Sequence, residues 1–294
     1  MQKNTSKTLR VFFYLLILLM ALLMITSGCS KGKSESSTNP ESEKSKKTEN
    51  LLRKMEEDIN SLIEELEKEY FKEVIPEEKN KVEKTGQAKQ EQSKEQQKGG
   101  EKSDQGKSKE GSSGGQEQKQ EPEWIKSESK VEGIHGLWDN FRGEAALQGY
   151  GEDELNAFNE KLNQLTMMFT RKDLYGAIST SNDLFGTLLG YYKDPKEKAA
   201  GPAKKTLFYI RSATYKGLKG NYEESQKDLL EAVKSWEYAK AIVEDPVLNK
   251  KTEFAVKDLI EALKAKDPNL VKIKFTIAQN NLKKAIEMVE KGKS

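Results

Sequence analysis

DPNLVKIKFTIAQNNLKKAIEMVEK, residues 267–291, reads as one helix from cap to tail. Asp267 is an N-cap residue and Pro268 follows at the first helical position, where a missing N–H costs nothing. Leu270, Ile273, Ile277, Leu282, Ile286 and Val289 then recur at helical spacing. The same grammar repeats upstream as far as Glu123.

Ile134, Leu137, Trp138 and Phe141 mark a helix closing near Gly149-Tyr150-Gly151. Leu155, Phe158, Leu162, Leu165 and Phe169 mark the next, behind Glu152-Asp153-Glu154, whose charges suit a helix N-terminus. A third carries Leu174, Ala177, Ile178, Leu184, Leu188 and Tyr191, ending at Asp194-Pro195. Pro202 is placed as a first-turn proline ahead of Leu207, Ile210, Ala213 and Leu218. Asn221 caps a fifth helix with Tyr222, Leu229, Val233, Trp236 and Val243, which stops at Asp245-Pro246. Leu248, Phe254, Leu259 and Leu263 make a sixth. No segment alternates with period two over strand length, so the expected class is all-α. An antiparallel helical bundle over 123–294 is the expected architecture. The alternative is a short helix-hairpin array, because Ala213 to Val233 resembles one tetratricopeptide pair, although the echo at Lys172-Asp173-Leu174-Tyr175-Gly176-Ala177 lies off the 34-residue period.

Ahead of this domain the composition changes sharply. Residues 76–122 hold ten lysines and ten acids but no Leu, Ile, Phe, Trp, Tyr or Met, too little apolar area to offset ordering entropy, and read as a disordered linker. Residues 51–75 read as an amphipathic helix: Leu51, Leu52, Met55, Ile59, Leu62, Ile63, Leu66 and Tyr70 share a stripe that must bury against the C-terminal domain, a second copy or another protein. Glu56, Glu57, Glu64 and Glu65 read as its solvated face. Residues 29–50 carry no apolar side chain after Cys29 and read as a flexible leader.

The first 28 residues read as a signal peptide. Lys3, Lys7 and Arg10 precede an apolar run from Val11 to Ile25, then Thr26-Ser27-Gly28 and Cys29, the only cysteine. That run spans roughly 22 Å, short of the ~30 Å hydrocarbon core. Small residues before a lone cysteine resemble the lipobox of bacterial lipoproteins, with Thr26 where that family prefers Leu. The resemblance implies that Cys29 is acylated, becomes the first mature residue and holds the chain on the extracytoplasmic face of the membrane. Spacing in the helical region, including Asn163-Gln164-Leu165-Thr166 and Lys264-Ala265-Lys266-Asp267, is similar to a helical-domain lipoprotein family of Gram-positive bacteria.

Candidates for chemistry are few. With 50 Lys+Arg against 48 Asp+Glu the chain lacks the basic excess of a nucleic-acid binder. His135 is the only histidine. Its setting Gly133-Ile134-His135-Gly136-Leu137-Trp138 resembles the His-x-x-Glu motif of imelysin-type lipoproteins, but Trp138 stands where the Glu belongs. No phosphate loop, nucleophile elbow or Cys/His pair occurs. We therefore expect no catalytic residue, no metal and no cofactor. Trp138, Trp236, Tyr191 and Tyr192 are the candidates for core packing or a partner surface, with one member each of Tyr191-Tyr192 and Phe208-Tyr209 expected outside. The expected role is a lipid-anchored interaction module for a protein or cell-wall partner. The alternative is a carrier of a small ligand or metal.

Overall fold

The computed structural model describes residues 40–75, 123–193 and 195–292. Its regular elements among these residues are all helical. They are α1 (Pro40–Val74), a 3-10 turn (Glu123–Ser127), α2 (Glu128–Leu147), α3 (Glu152–Thr170), α4 (Leu174–Leu188), α5 (Pro195–Leu218), α6 (Tyr222–Lys240), α7 (Pro246–Ala265) and α8 (Pro268–Lys291). The fold is an all-α bundle. Residues Lys44–Ser294 form one compact unit, and of the other, Met1–Glu43, only the first turn of α1 is described. The expected signal peptide, Cys29 and the 76–122 linker lie outside the described residues.

Aspartates start several of the helices. Asp173 Oδ1 accepts from Gly176 N (2.8 Å), Asp245 Oδ1 from Val247 N (2.8 Å) and Asp267 Oδ1 from Leu270 N (2.9 Å), each taking up an otherwise orphaned donor. Pro246 and Pro268 follow two of them in the first turn. Asn221 holds the N-cap position of α6, but its side chain makes no cap bond. Consecutive helices pack on one another from α2 to α8, and α5 also packs on α8.

Helix α1 belongs to this core. Leu52, Met55, Ile59, Leu62, Ile63 and Leu66 are completely buried, and Tyr70 and Phe71 nearly so. Tyr70 meets the rings of Tyr175 on α4 and Tyr215 on α5, and Phe71 that of Phe275 on α8. Each such side chain is worth on the order of 1.5–3 kcal/mol on leaving water. Of the three partners open to the stripe, the C-terminal helices are the one that receives it. The 76–122 segment consequently connects two parts of one core.

Two boundaries differ from expectation. Helix α1 begins at Pro40, so residues 40–50 of the expected flexible leader are helical. Polar contacts with α2 fasten this end: Lys47 pairs with Glu144 (2.6 Å), and Gln148 donates to the Lys44 carbonyl (3.3 Å) and to Thr48, which is buried. Helix α5 begins at Pro195, leaving Pro202 inside it. Proline there forfeits a backbone bond, but Ala200 and Ala203 on either side are buried in the core, and their packing keeps the early turns helical.

The stripe read along 267–291 divides into two faces. Leu282, Ile286 and Val289 are buried with Val271, Phe275 and Ala278, while Leu270, Ile273 and Ile277 face outward. The five-residue step from Ile277 to Leu282 turns the helix roughly 140° beyond a full revolution at 3.6 residues per turn. Val233 and Phe254, also expected in the core, are exposed.

Candidate functional site

Charged and polar residues enter the interior where α1, α5 and α8 meet. On α1 they are Glu56, Asn60 and Glu67, spaced to share one side of the helix. On α5, Lys204, Arg211 and Tyr215 stand seven and four apart. Gln279 and Glu290 come from α8.

Lys204 is 2% exposed, yet its Nζ lies 2.9 Å from Glu56 Oε2 and 2.7 Å from Glu290 Oε1. Burial works against the ammonium, but the two carboxylates outweigh it and raise its pKa above the ordinary lysine value. Tyr192 donates to Glu56 and places its ring 4.8 Å from Lys204 Nζ. Deeper in, Arg211 is fully buried. Its Nη1 donates to Asn60 Oδ1 (2.7 Å), its Nε lies 3.5 Å from Glu67 Oε1, and its guanidinium covers the Phe185 ring at 5.5 Å. Glu67 also accepts from Tyr215 Oη (2.5 Å) and from Gln279 Nε2 (2.9 Å). Burial, and then the Glu67 charge, drive the Tyr215 pKa well above the usual phenol value.

The outer end of this seam opens into a cavity of about 430 Å³, lined by Arg53, Glu57, Glu64, Tyr192, Lys204 and Glu290 among others. Its walls offer carboxylates and ammonium groups already engaged with one another, an arrangement suited to holding a polar molecule. Among the described residues no group of three or more His, Cys, Asp and Glu side chains is placed to hold a metal ion. His135 Nε2 stands 2.9 Å from Thr166 Oγ1, and burial lowers its pKa.

The four aromatic candidates are buried and do not form one surface. Trp138 stacks on Phe158 at 4.3 Å, and Tyr191 meets the rings of Trp138, Phe141, Tyr150 and Phe158. Tyr191 Oη donates to the Glu154 carbonyl (2.5 Å), and Tyr150 Oη to that of Tyr191 (2.7 Å). Tyr192 turns away into the charged seam, and Trp236 is buried on α6. Neither member of Tyr191-Tyr192 is outside, because each hydroxyl has a partner within; Phe208 and Tyr209 are both half-buried.

Glu67, Lys204 and Arg211 escaped the sequence reading, and Glu56 was assigned to the solvated face. A signal was present: Lys204 and Arg211 share the core register of Leu207, Ile210 and Tyr215, and Glu67 that of Ile63 and Tyr70. Charges of opposite sign at core phase on two helices are candidates for mutual burial.

A second feature faces solvent. Phe254 on α7 and Leu270, Ile273 and Ile277 on α8 are exposed by 60%, 36%, 57% and 46%. Asp258 and Lys274 bridge the two antiparallel helices at 2.7 Å, and one turn onward along each stand Phe254 and Ile277, at the same level of the hairpin. The line continues into a shallow groove whose lining includes Val247, Lys251, Lys284 and Lys291 together with Asp245 and Glu287. Residues 268–286 contain four lysines and no Asp or Glu. Among the described residues no helix is long and apolar enough to cross a membrane. No protein-family model, curated protein or solved structure matches the chain, so its own residues carry the functional argument.

Proposed function

We propose that the protein is a lipid-anchored extracytoplasmic interaction module, held at Cys29 and working through the outer face of the α7–α8 hairpin. The observation that carries this reading is the exposure of Phe254, Ile273 and Ile277 on helices whose opposite sides are buried in the core. Large apolar side chains clustered at the surface of an otherwise closed core mark contact sites. The sequence supports the anchor through the apolar run, the small residues at 26–28 and the single cysteine. The test has two parts. Labelling cells with an alkyne fatty acid should mark the wild-type protein and leave Cys29→Ala unmarked and released from the membrane fraction. Photo-crosslinkers at 254 and 277 should capture an envelope component, while one at 230 on α6 should not. Equal capture at all three positions sinks the assignment of the working face.

The cavity beside Lys204 favours a second reading, a carrier of a small polar ligand. Native mass spectrometry of the protein purified from its own host distinguishes the two. A retained mass that disappears in Lys204→Met supports the carrier.

A further inference from the structure

We propose that the component met by the α7–α8 face is the membrane itself: the hairpin docks peripherally on an anionic phospholipid surface. This deepens the reading above and rests on the Cys29 anchor for how the face is brought to the bilayer.

Charge argues first. From Pro246 to Lys291 the hairpin carries ten lysines and six acids, and no arginine. The acids on the outward side of α7 are matched: Glu253 by Lys250 and Lys257, Asp258 by Lys274, and Glu261 by Lys264. Lys272 and Lys284 are exposed on α8 near Ile273 and Ile277; Lys272 also holds its ammonium 5.9 Å from the Phe71 ring at the α1 side, and Lys284 shares the groove with Lys251 and with Glu287, which pairs with Lys291. Compact ammonium charges on long stems suit a diffuse field of headgroups, whereas bidentate recognition of particular protein carboxylates favours arginine. An apolar ridge bordered by lysine is the pattern of a helix lying in the headgroup layer.

Reach argues second. Only ten residues separate Cys29 from Pro40, a span of at most about 35 Å when extended. Because α1 is part of the core, the anchor leads almost directly into the folded unit. Helix α8 lies alongside α1, through Phe71–Phe275, Glu67–Gln279 and Glu64–Lys283. The two helices run antiparallel, so the ridge lies beside the end of α1 farthest from the tether, and a unit lying lengthwise on the bilayer is what brings both to the surface.

The test uses unlipidated chain from Ser30 to Ser294, which retains the whole compact unit, with vesicles of phosphatidylglycerol or of phosphatidylcholine alone. Flotation should show binding to phosphatidylglycerol that weakens from about 0.05 to 0.5 M salt as charges are screened. It should fall about tenfold or more in Ile273→Asp/Ile277→Asp, which removes apolar contact, and also in Lys272→Glu/Lys284→Glu. Both pairs are exposed, so thermal melts should match the wild type. No binding to phosphatidylglycerol at low salt overturns the proposal, as does equal binding to both lipids that survives the substitutions. A dimer lost in Ile273→Asp/Ile277→Asp, without vesicle binding, assigns the face to a second copy and also overturns it. Because the assay omits the lipid, a failed anchor shows only in the fatty-acid label and a failed docking face only in the vesicles.

Discussion

Glu67 joins three helices in the interior. It faces Arg211, accepts from Tyr215 and Gln279, and is 6% exposed. Attraction across such a buried pair is offset by the cost of taking both charges out of water, so the pair is weak evidence for net stability. Removing one partner is different, because the other charge is stranded. Glu67→Ala leaves the buried Arg211 guanidinium without its facing carboxylate and the Tyr215 hydroxyl without its acceptor, and should cost about 3–5 kcal/mol in urea unfolding. Glu67→Gln keeps an acceptor for Tyr215 and should cost less than Glu67→Ala. Equal losses would show that shape, not charge, is what the site requires. The seam was hard to read from sequence for a local reason. A glutamate among Glu65, Lys68 and Glu69 looks like a helix's solvated edge until the arginine that meets it, 144 positions away in the chain, is known.

Helices were the legible level. Core positions from Ile134 to Leu263, Val233 and Phe254 apart, emerge from period and capping, because a 3.6-residue repeat and an Asp-Pro start are local properties. What local pattern cannot supply is which neighbour covers a face, and α1 shows the consequence. Its stripe was evident, but its assignment to the same core depended on contacts with α4, α5 and α8. Two outcomes follow. A chain limited to residues 123–294 lacks Leu52, Ile59, Leu62 and Tyr70, and should bind a hydrophobic dye and melt without a cooperative transition; adding a peptide of residues 40–75 should restore both properties. A sharp melt of 123–294 alone would show that α1 is dispensable. Conversely, Ser127 donates to Glu65 at 2.7 Å, so the chain returns beside α1 about 15 Å short of its end. Eight Gly/Ser residues in place of 76–122 bridge that distance, and the shorter closure should raise stability by about 1.5 kcal/mol. A loss of stability would mean that the 47 residues make contacts the core depends on.

At the scale of the whole molecule, buried phenols and one buried ammonium respond to pH in the same direction. Burial, reinforced by nearby carboxylates, pushes Tyr150 up to about 12 and raises Tyr70, Tyr191 and Tyr215 further above the usual phenol value; Lys204 is raised by Glu56 and Glu290. In each case the protonated form is favoured by the fold. Their contribution to stability is therefore fully present below about pH 10, where the unfolded chain is protonated too, and is lost as pH rises through the folded values. These groups sit in the α2–α3 aromatic cluster and in the α1–α5–α8 seam, so both ends of the core are exposed to the same stress. Alkaline titration should show the phenolate absorbance of these buried tyrosines at 295 nm appearing together with loss of helical circular dichroism at 222 nm, in one step above pH 10. Tyr191→Phe, which frees the Glu154 carbonyl but removes an ionisable phenol, should lower stability at neutral pH and shift the alkaline midpoint less than the neutral loss predicts. If all phenols instead titrate smoothly near 10 while the helices persist, the hydroxyls of Tyr150, Tyr191 and Tyr215 are reached by solvent in the folded chain, and the core is not closed over them.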